Sequence, residues 1–180
     1  MTPDKQGSFD GLCGIYALIN ACHAAIPQLG EDKREKLFQL AIEYLDGRGW
    51  LKYTILKGIK AKTLITLIKL FNVYSIENFG YEIRYEKIAQ DAGNIRGILS
   101  SIDSWLADNE KCFVIIGITG RYDHWTCVSR LCDNSLAIVD SDDLKRLNFS
   151  RLTSGDTYAE RDVSIDKDEV FGIWAVKRFE

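Results

Sequence analysis

Gln6-Gly-Ser-Phe-Asp10-Gly-Leu-Cys13-Gly-Ile-Tyr-Ala-Leu-Ile-Asn-Ala-Cys22 reads as a nucleophile mounted at the start of a buried helix. Asp10 is a good N-cap residue type, and Ile15, Leu18, Ile19 and Cys22 follow it at the i, i+3, i+4, i+7 spacing of one apolar helical face. Cys13 then falls in the first turn, where the helix dipole and free N–H groups favour thiolate, the attacking form of the group. Gly14, without a side chain, is expected to leave room for a substrate beside the sulfur. Gln6 can bring a side-chain amide to the same place to donate to a developing oxyanion.

Outward from this stretch, helices come first. The first helix runs from about Leu12 and ends before Pro27, which disfavours helical geometry at Ile26. A second spans about Glu31 to Leu45, a third about Ala61 to Phe71, and a fourth about Asn94 to Leu106. Trp50-Leu-Lys-Tyr, between the second and third, has no assignable period. Tyr81 to Tyr85 alternates as a short strand. After the fourth helix the period changes to two. Cys112 to Ile118 is an apolar run of strand length, His124 to Arg130 and Ser135 to Asp140 are further strands joined through Cys132-Asp-Asn, and Val170 to Lys177 is the last. The polar stretch from Asp142 to Asp168 predicts no strand. Segregated helices and strands without an interdomain linker predict an α+β fold, one domain over residues 1–180.

Composition narrows the function classes. A chain of 180 residues with 46% hydrophobic content can bury a full core. A net charge of −3 with scattered basic residues gives no footprint of a nucleic-acid binder. No export signal stands at the start, and no run approaches the ~18 apolar residues of a membrane span. Neither a nucleic-acid nor a membrane partner is expected. The five cysteines are odd in number, widely spaced and free of C-x-x-C, which argues against a disulfide framework or zinc site and for a reducing compartment. No cofactor or metal is expected.

The two histidines separate cleanly. His23 lies ten residues after Cys13 on the same helix, about 15 Å along its axis at 1.5 Å per residue, and cannot serve it. His124 opens a strand directly after a loop, where an imidazole can point out of the sheet end, and is the candidate base. Asp140 ends the neighbouring strand. A hairpin that pairs Arg130 with Asn134 sets Asp140 opposite His124, with Cβ atoms ~5 Å apart, where its carboxylate can fix the imidazole tautomer. A register shifted by two would present Asp142 instead.

The order Gln6, Cys13, His124, Asp140 resembles the papain-like cysteine peptidases, and within them the small bacterial peptidases that trim leader peptides from exported bacteriocins. The resemblance covers Gln6 to Cys22 and roughly Cys112 to Asp140. It implies a helical half packed against a sheet half with the site in the cleft between, no cofactor, and a protein or peptide substrate. Carried over by position, Gln6 is the oxyanion donor, Cys13 the nucleophile, His124 the general base and Asp140 its orienter. Leader peptidases carry Asp directly before Cys-Gly, whereas Gly11 and Leu12 intervene here. Asp10-Gly-Leu-Cys13 also resembles the Asp-Gly-x-Cys of ovarian-tumour-type deubiquitinases. The same triad supports glutamine deamidation and acyl transfer, because all pass through a thioester. A protein-binding module without activity is the alternative from another class. The short segment before Gln6 leaves no propeptide, so restraint is expected from substrate choice or location, as in a cytoplasmic processing enzyme or an effector delivered without a signal peptide.

Overall fold

Ile15, Leu18, Ile19 and Cys22 are all buried to within 2% of their surface, so the helix that carries them lies in the middle of the protein, not on its rim. A computed structural model describes residues 3–4, 11–155 and 162–178. That central helix, α1, is Cys13–Ala25. It is followed by α2 (Glu31–Gly47), α3 (Leu51–Lys57), α4 (Ala61–Phe79), strand β1 (Tyr81–Lys87) and α5 (Ile95–Asp108). The remaining strands are β2 (Phe113–Gly120), β3 (His124–Cys132), β4 (Ser135–Val139), β5 (Arg146–Asn148), β6 (Leu152–Thr153) and β7 (Val163–Lys177). Together they make the α+β fold: a seven-stranded sheet in the order β1-β7-β2-β3-β4-β5, antiparallel throughout that path, with β6 added in parallel to β7.

The sheet is covered on both faces. Ile115, Trp125, Cys127, Phe171 and Ile173 pack with α1 and α4, and α2 closes over α1 from outside through Leu37, Ala41 and Leu45. Val114, Ile116, Ile118, Val128 and Val170 face the other way, onto Ile98 and Ile102 of α5. A strand buried on both faces has no polar side to alternate, which is why the β2 segment is continuously apolar. β1, from the helical first half of the chain, forms the edge of the sheet beside β7, and α5 packs on the face opposite α1 and α4.

Other differences from the sequence reading have local causes. The Trp50 connector forms α3, whose only buried residue is Thr54, so no inward apolar period marks it. α4 continues past Phe71 to Gly80, which caps it in the left-handed region at φ +69°. In the added turns Ser75 is buried, and Asn72 Oδ1 accepts from Ile83 N at 2.8 Å, tying α4 to β1. Asn94 caps α5 by accepting from Gly97 N at 3.1 Å. The stretch from Asp142 to Asp168, expected to hold no strand, contains β5, β6 and the start of β7, strands pinned by the isolated buried residues Leu147, Leu152, Val163 and Ile165.

The β3–β4 register also differs. Cys132 pairs with Ser135 across a two-residue turn, and Arg130 with Ala137 in place of Asn134. Ser129 then bulges, its Oγ donating to Ala137 O at 3.2 Å, after which Val128 pairs with Ile138 and Cys127 with Val139. Asp140 thus follows the last pair and stands diagonal to His124, not opposite it. Among the described residues, no helix is long and apolar enough to cross a membrane.

Candidate active site

Cys13 opens α1 and is 6% exposed. Gln6 and Asp10 lie outside the described residues, and the position that caps α1 belongs to Leu12, whose side chain makes no capping bond. The chain entering the helix is held instead by Gly11 N donating to Ile55 O at 2.8 Å. The first backbone bonds of the turn run from Ile15 and Tyr16 N to Leu12 O, so the N–H groups of Cys13 and Gly14 have no partner within the helix. Cys13 Sγ accepts from Trp125 N at 3.5 Å, which ties the thiol to the start of β3. A further link fixes α1 against the same strand: Cys127 Sγ donates to Ala17 O at 3.1 Å.

Gly14 does not leave open space. A Cβ there would lie 2.6 Å from Ile59 Cγ1 and 3.1 Å from Trp125 Cδ1. The missing side chain admits Ile59 and Trp125, whose indole N–H donates to Ile59 O at 2.8 Å and whose ring lies against Phe171. Gly14→Ala is accordingly expected to destabilise the fold by about 1–3 kcal/mol through overpacking, read as a lower midpoint in urea with unchanged slope.

His124 is the first residue of β3. Its Nε2 meets Asp140 Oδ1 at 2.6 Å, with the two side chains 12% and 1% exposed. The other carboxylate oxygen accepts from Asp142 N at 2.8 Å and Leu144 N at 3.2 Å, so the turn after β4 clamps Asp140. This clamp explains how Asp140 reaches the ring despite the altered register. Asp142 contributes through its backbone, its side chain being exposed. With Nε2 engaged, Nδ1 is the ring nitrogen left for Cys13.

Electrostatics follow this geometry. Burial alone would lower the His124 pKa, but hydrogen bonds and charge from Asp140 and Cys13 raise it to about 10. Burial would raise the Asp140 carboxyl, but its bond to His124 holds it below the usual carboxylate range. Burial pushes Cys22 up to about 12, raises Cys112, and takes Cys127 well above its ordinary value. The His23 pKa is lowered by burial and by Arg34, and its buried Nδ1 has no hydrogen-bond partner among the described residues.

Cys13 and His124 open onto a cavity of about 320 Å³, walled by Gly58 and Ile59 on one side and Gly117 and Glu169 on the other. Sequence reading missed these walls. Gly58, the α3 stop with φ +72°, was the one available signal. A second cavity of about 420 Å³ lies on the Asp140 side of the ring, lined by Tyr122, Asp140 and Leu144. Among the described residues, no group of three or more His, Cys, Asp and Glu side chains is arranged to hold a metal.

No protein-family model matches the chain, and no curated protein matches it. Among solved structures, it is similar to the peptidase domain of Streptococcus ComA, a bi-functional ABC transporter involved in a quorum sensing pathway. The alignment covers 98% of each chain at 19% identity, with a TM-score of 0.49.

Proposed function

We propose that the protein is a papain-like cysteine hydrolase that cleaves a peptide or isopeptide bond through a thioester. The observation that carries this reading is the chain of contacts at the cavity: Cys13 facing His124, and His124 held through Nε2 by an Asp140 that two backbone N–H groups clamp. The imidazole takes the Cys13 proton, and Asp140 stabilises the imidazolium that results. The thiolate attacks the carbonyl carbon of the scissile amide. Negative charge develops on the carbonyl oxygen near the first turn of α1, where the N–H groups of Cys13 and Gly14, with the Gln6 amide, can receive it. The imidazolium proton passes to the leaving amine, which departs and leaves an acyl thioester on Cys13. His124 then takes a proton from water, whose oxygen attacks the thioester carbonyl; the C–S bond breaks, the carboxylic acid departs, and the imidazolium proton returns to the Cys13 sulfur.

The test is product analysis by mass spectrometry after incubation with unfolded casein, an isopeptide-linked ubiquitin and glutamine-containing peptides. Amide-bond cleavage that disappears in Cys13→Ala supports the proposal. Ammonia release from glutamine without cleavage would instead assign a deamidase, and transfer to an added amine an acyltransferase. Wild type and Cys13→Ala behaving alike on every substrate would leave a binding module.

The orienter is separable from its neighbour. Asp140→Ala is expected to lower kcat about 10²-fold or more with little change in KM, and Asp140→Asn less, because the amide still accepts from Nε2. Asp142→Ala should stay near wild type, since only its backbone contributes. Loss of activity in Asp142→Ala with retention in Asp140→Ala would reverse the assignment.

A further inference from the structure

Glu169 occupies the wall of the Cys13–His124 cavity by way of an irregularity in the sheet. Ile116 pairs with Val170 and Ile118 with Ile165, so Asp166 to Glu169 of β7 stand opposite Gly117 alone. Bulges of this kind re-aim a side chain next to a site. Gly117 accommodates the result, because a Cβ at that position would collide with the Glu169 carboxylate. Glu169 also lines a neighbouring cavity of about 740 Å³ toward Asn94 of α5, and so stands where the two spaces meet.

The carboxylate is half-buried and makes no hydrogen bond or ion pair with any described residue. Nearby cations are already engaged: Lys87 Nζ lies 3.7 Å from Asp168 Oδ1, and Lys167 Nζ donates to Gln90 O at 2.9 Å. Burial raises the Glu169 pKa, and Asp166 and Asp123 add to it, with Lys87 opposing. A half-buried carboxylate that no described residue pairs is costly, and it gains from an incoming cation.

We infer that Glu169 is a specificity-determining residue that receives a lysine or arginine side chain of the substrate next to the scissile bond. The cation pairs with Glu169 over the Gly117 backbone while the adjacent carbonyl lies against Cys13. The inference rests on the hydrolase reading of the same cleft and names the class of peptide it takes.

The test measures alkylation of Cys13 by dipeptidyl acyloxymethyl ketones that carry arginine, norleucine or glutamate beside the reactive carbonyl, with iodoacetamide as a probe without a side chain. A charged hydrogen bond of this kind predicts a preference of about tenfold for arginine over norleucine. That ratio should fall to near one in Glu169→Gln, which keeps the shape of the side chain, and the order should invert toward glutamate in Glu169→Lys. Circular dichroism melts of both variants verify that they are folded. Fast iodoacetamide labelling of Cys13 with equal rates for the three ketones, or an arginine preference that survives in Glu169→Gln, would overturn the Glu169 role alone. Failure of Cys13 to react with any reagent faster than the other cysteines would overturn the hydrolase reading, and the inference with it.

Discussion

Cys13→Ser is expected to lower kcat/KM by about 10⁴-fold or more, with the melting temperature shifted by only a few degrees. The chemical loss is large because a serine hydroxyl in this position keeps its proton where a thiol gives it up to an imidazole. The structural loss is small because the side chain sits in the first turn of α1 and its contacts with Trp125 N, Gly11 O and His124 are ones that a serine hydroxyl can also make. Cys22, fully buried on the apolar face of the same helix, supplies the control. Its replacement by alanine should cost about 1–2 kcal/mol of stability and leave the rate of the folded enzyme unchanged. Retention of roughly a tenth of the wild-type rate in Cys13→Ser would remove the nucleophile assignment.

His124→Ala should be equally severe, and the pH dependence of the wild type shows why. The active form is a thiolate beside an imidazolium, so kcat/KM follows a bell: the acidic limb tracks formation of the thiolate, and the basic limb tracks loss of the imidazolium proton. With the His124 pKa raised from 6.5 to about 10, the basic limb is expected far above the neutral range. Stability follows the same sign. A pKa raised on folding means that the charged ring stabilises the fold fully below 6.5, and that this contribution is lost as pH rises through about 10. Asp140 is the mirror case. Its lowered pKa contributes above 3.8, and the contribution is lost as pH falls through the folded value. A basic limb near 6.5, or His124→Ala acting at the parent rate, would place the base elsewhere.

What could be read in advance divides along physical lines. α1 was legible because its apolar period is unbroken, and β2 because a strand buried on both faces has an apolar run of strand length. α3 was illegible because its large side chains face solvent, with Tyr53 and Leu56 58% and 65% exposed. The end of α4 was placed too early because the inward apolar period stops at Phe71, and the positions that continue it are the polar Asn72, which ties to the sheet, and Ser75, which is buried. In the candidate site, Cys13, His124 and Asp140 meet in space, while Gln6 lies outside the described residues. The meeting of His124 with Asp140 came about by a route other than the expected register. The two-residue turn at Asp133 and Asn134 shifts the strands by three residues, the Ser129 bulge takes one back, and the turn from Asp140 to Leu144 restores the contact through two backbone bonds. Glu169 had no signal at all, since its position depends on a β7 irregularity over Asp166 to Glu169, just before the apolar run that begins at Val170.

Brief exposure to iodoacetamide at neutral pH, followed by peptide mass spectrometry of all five cysteines, tests the central claim most directly. If His124 activates the thiol at the start of α1, Cys13 is alkylated well ahead of Cys132, the most accessible of the other four, while Cys22, Cys112 and Cys127, buried and held as thiols, stay unlabelled. The advantage of Cys13 should vanish in His124→Ala. Labelling of Cys13 no faster than Cys132 in the wild type would contradict the account.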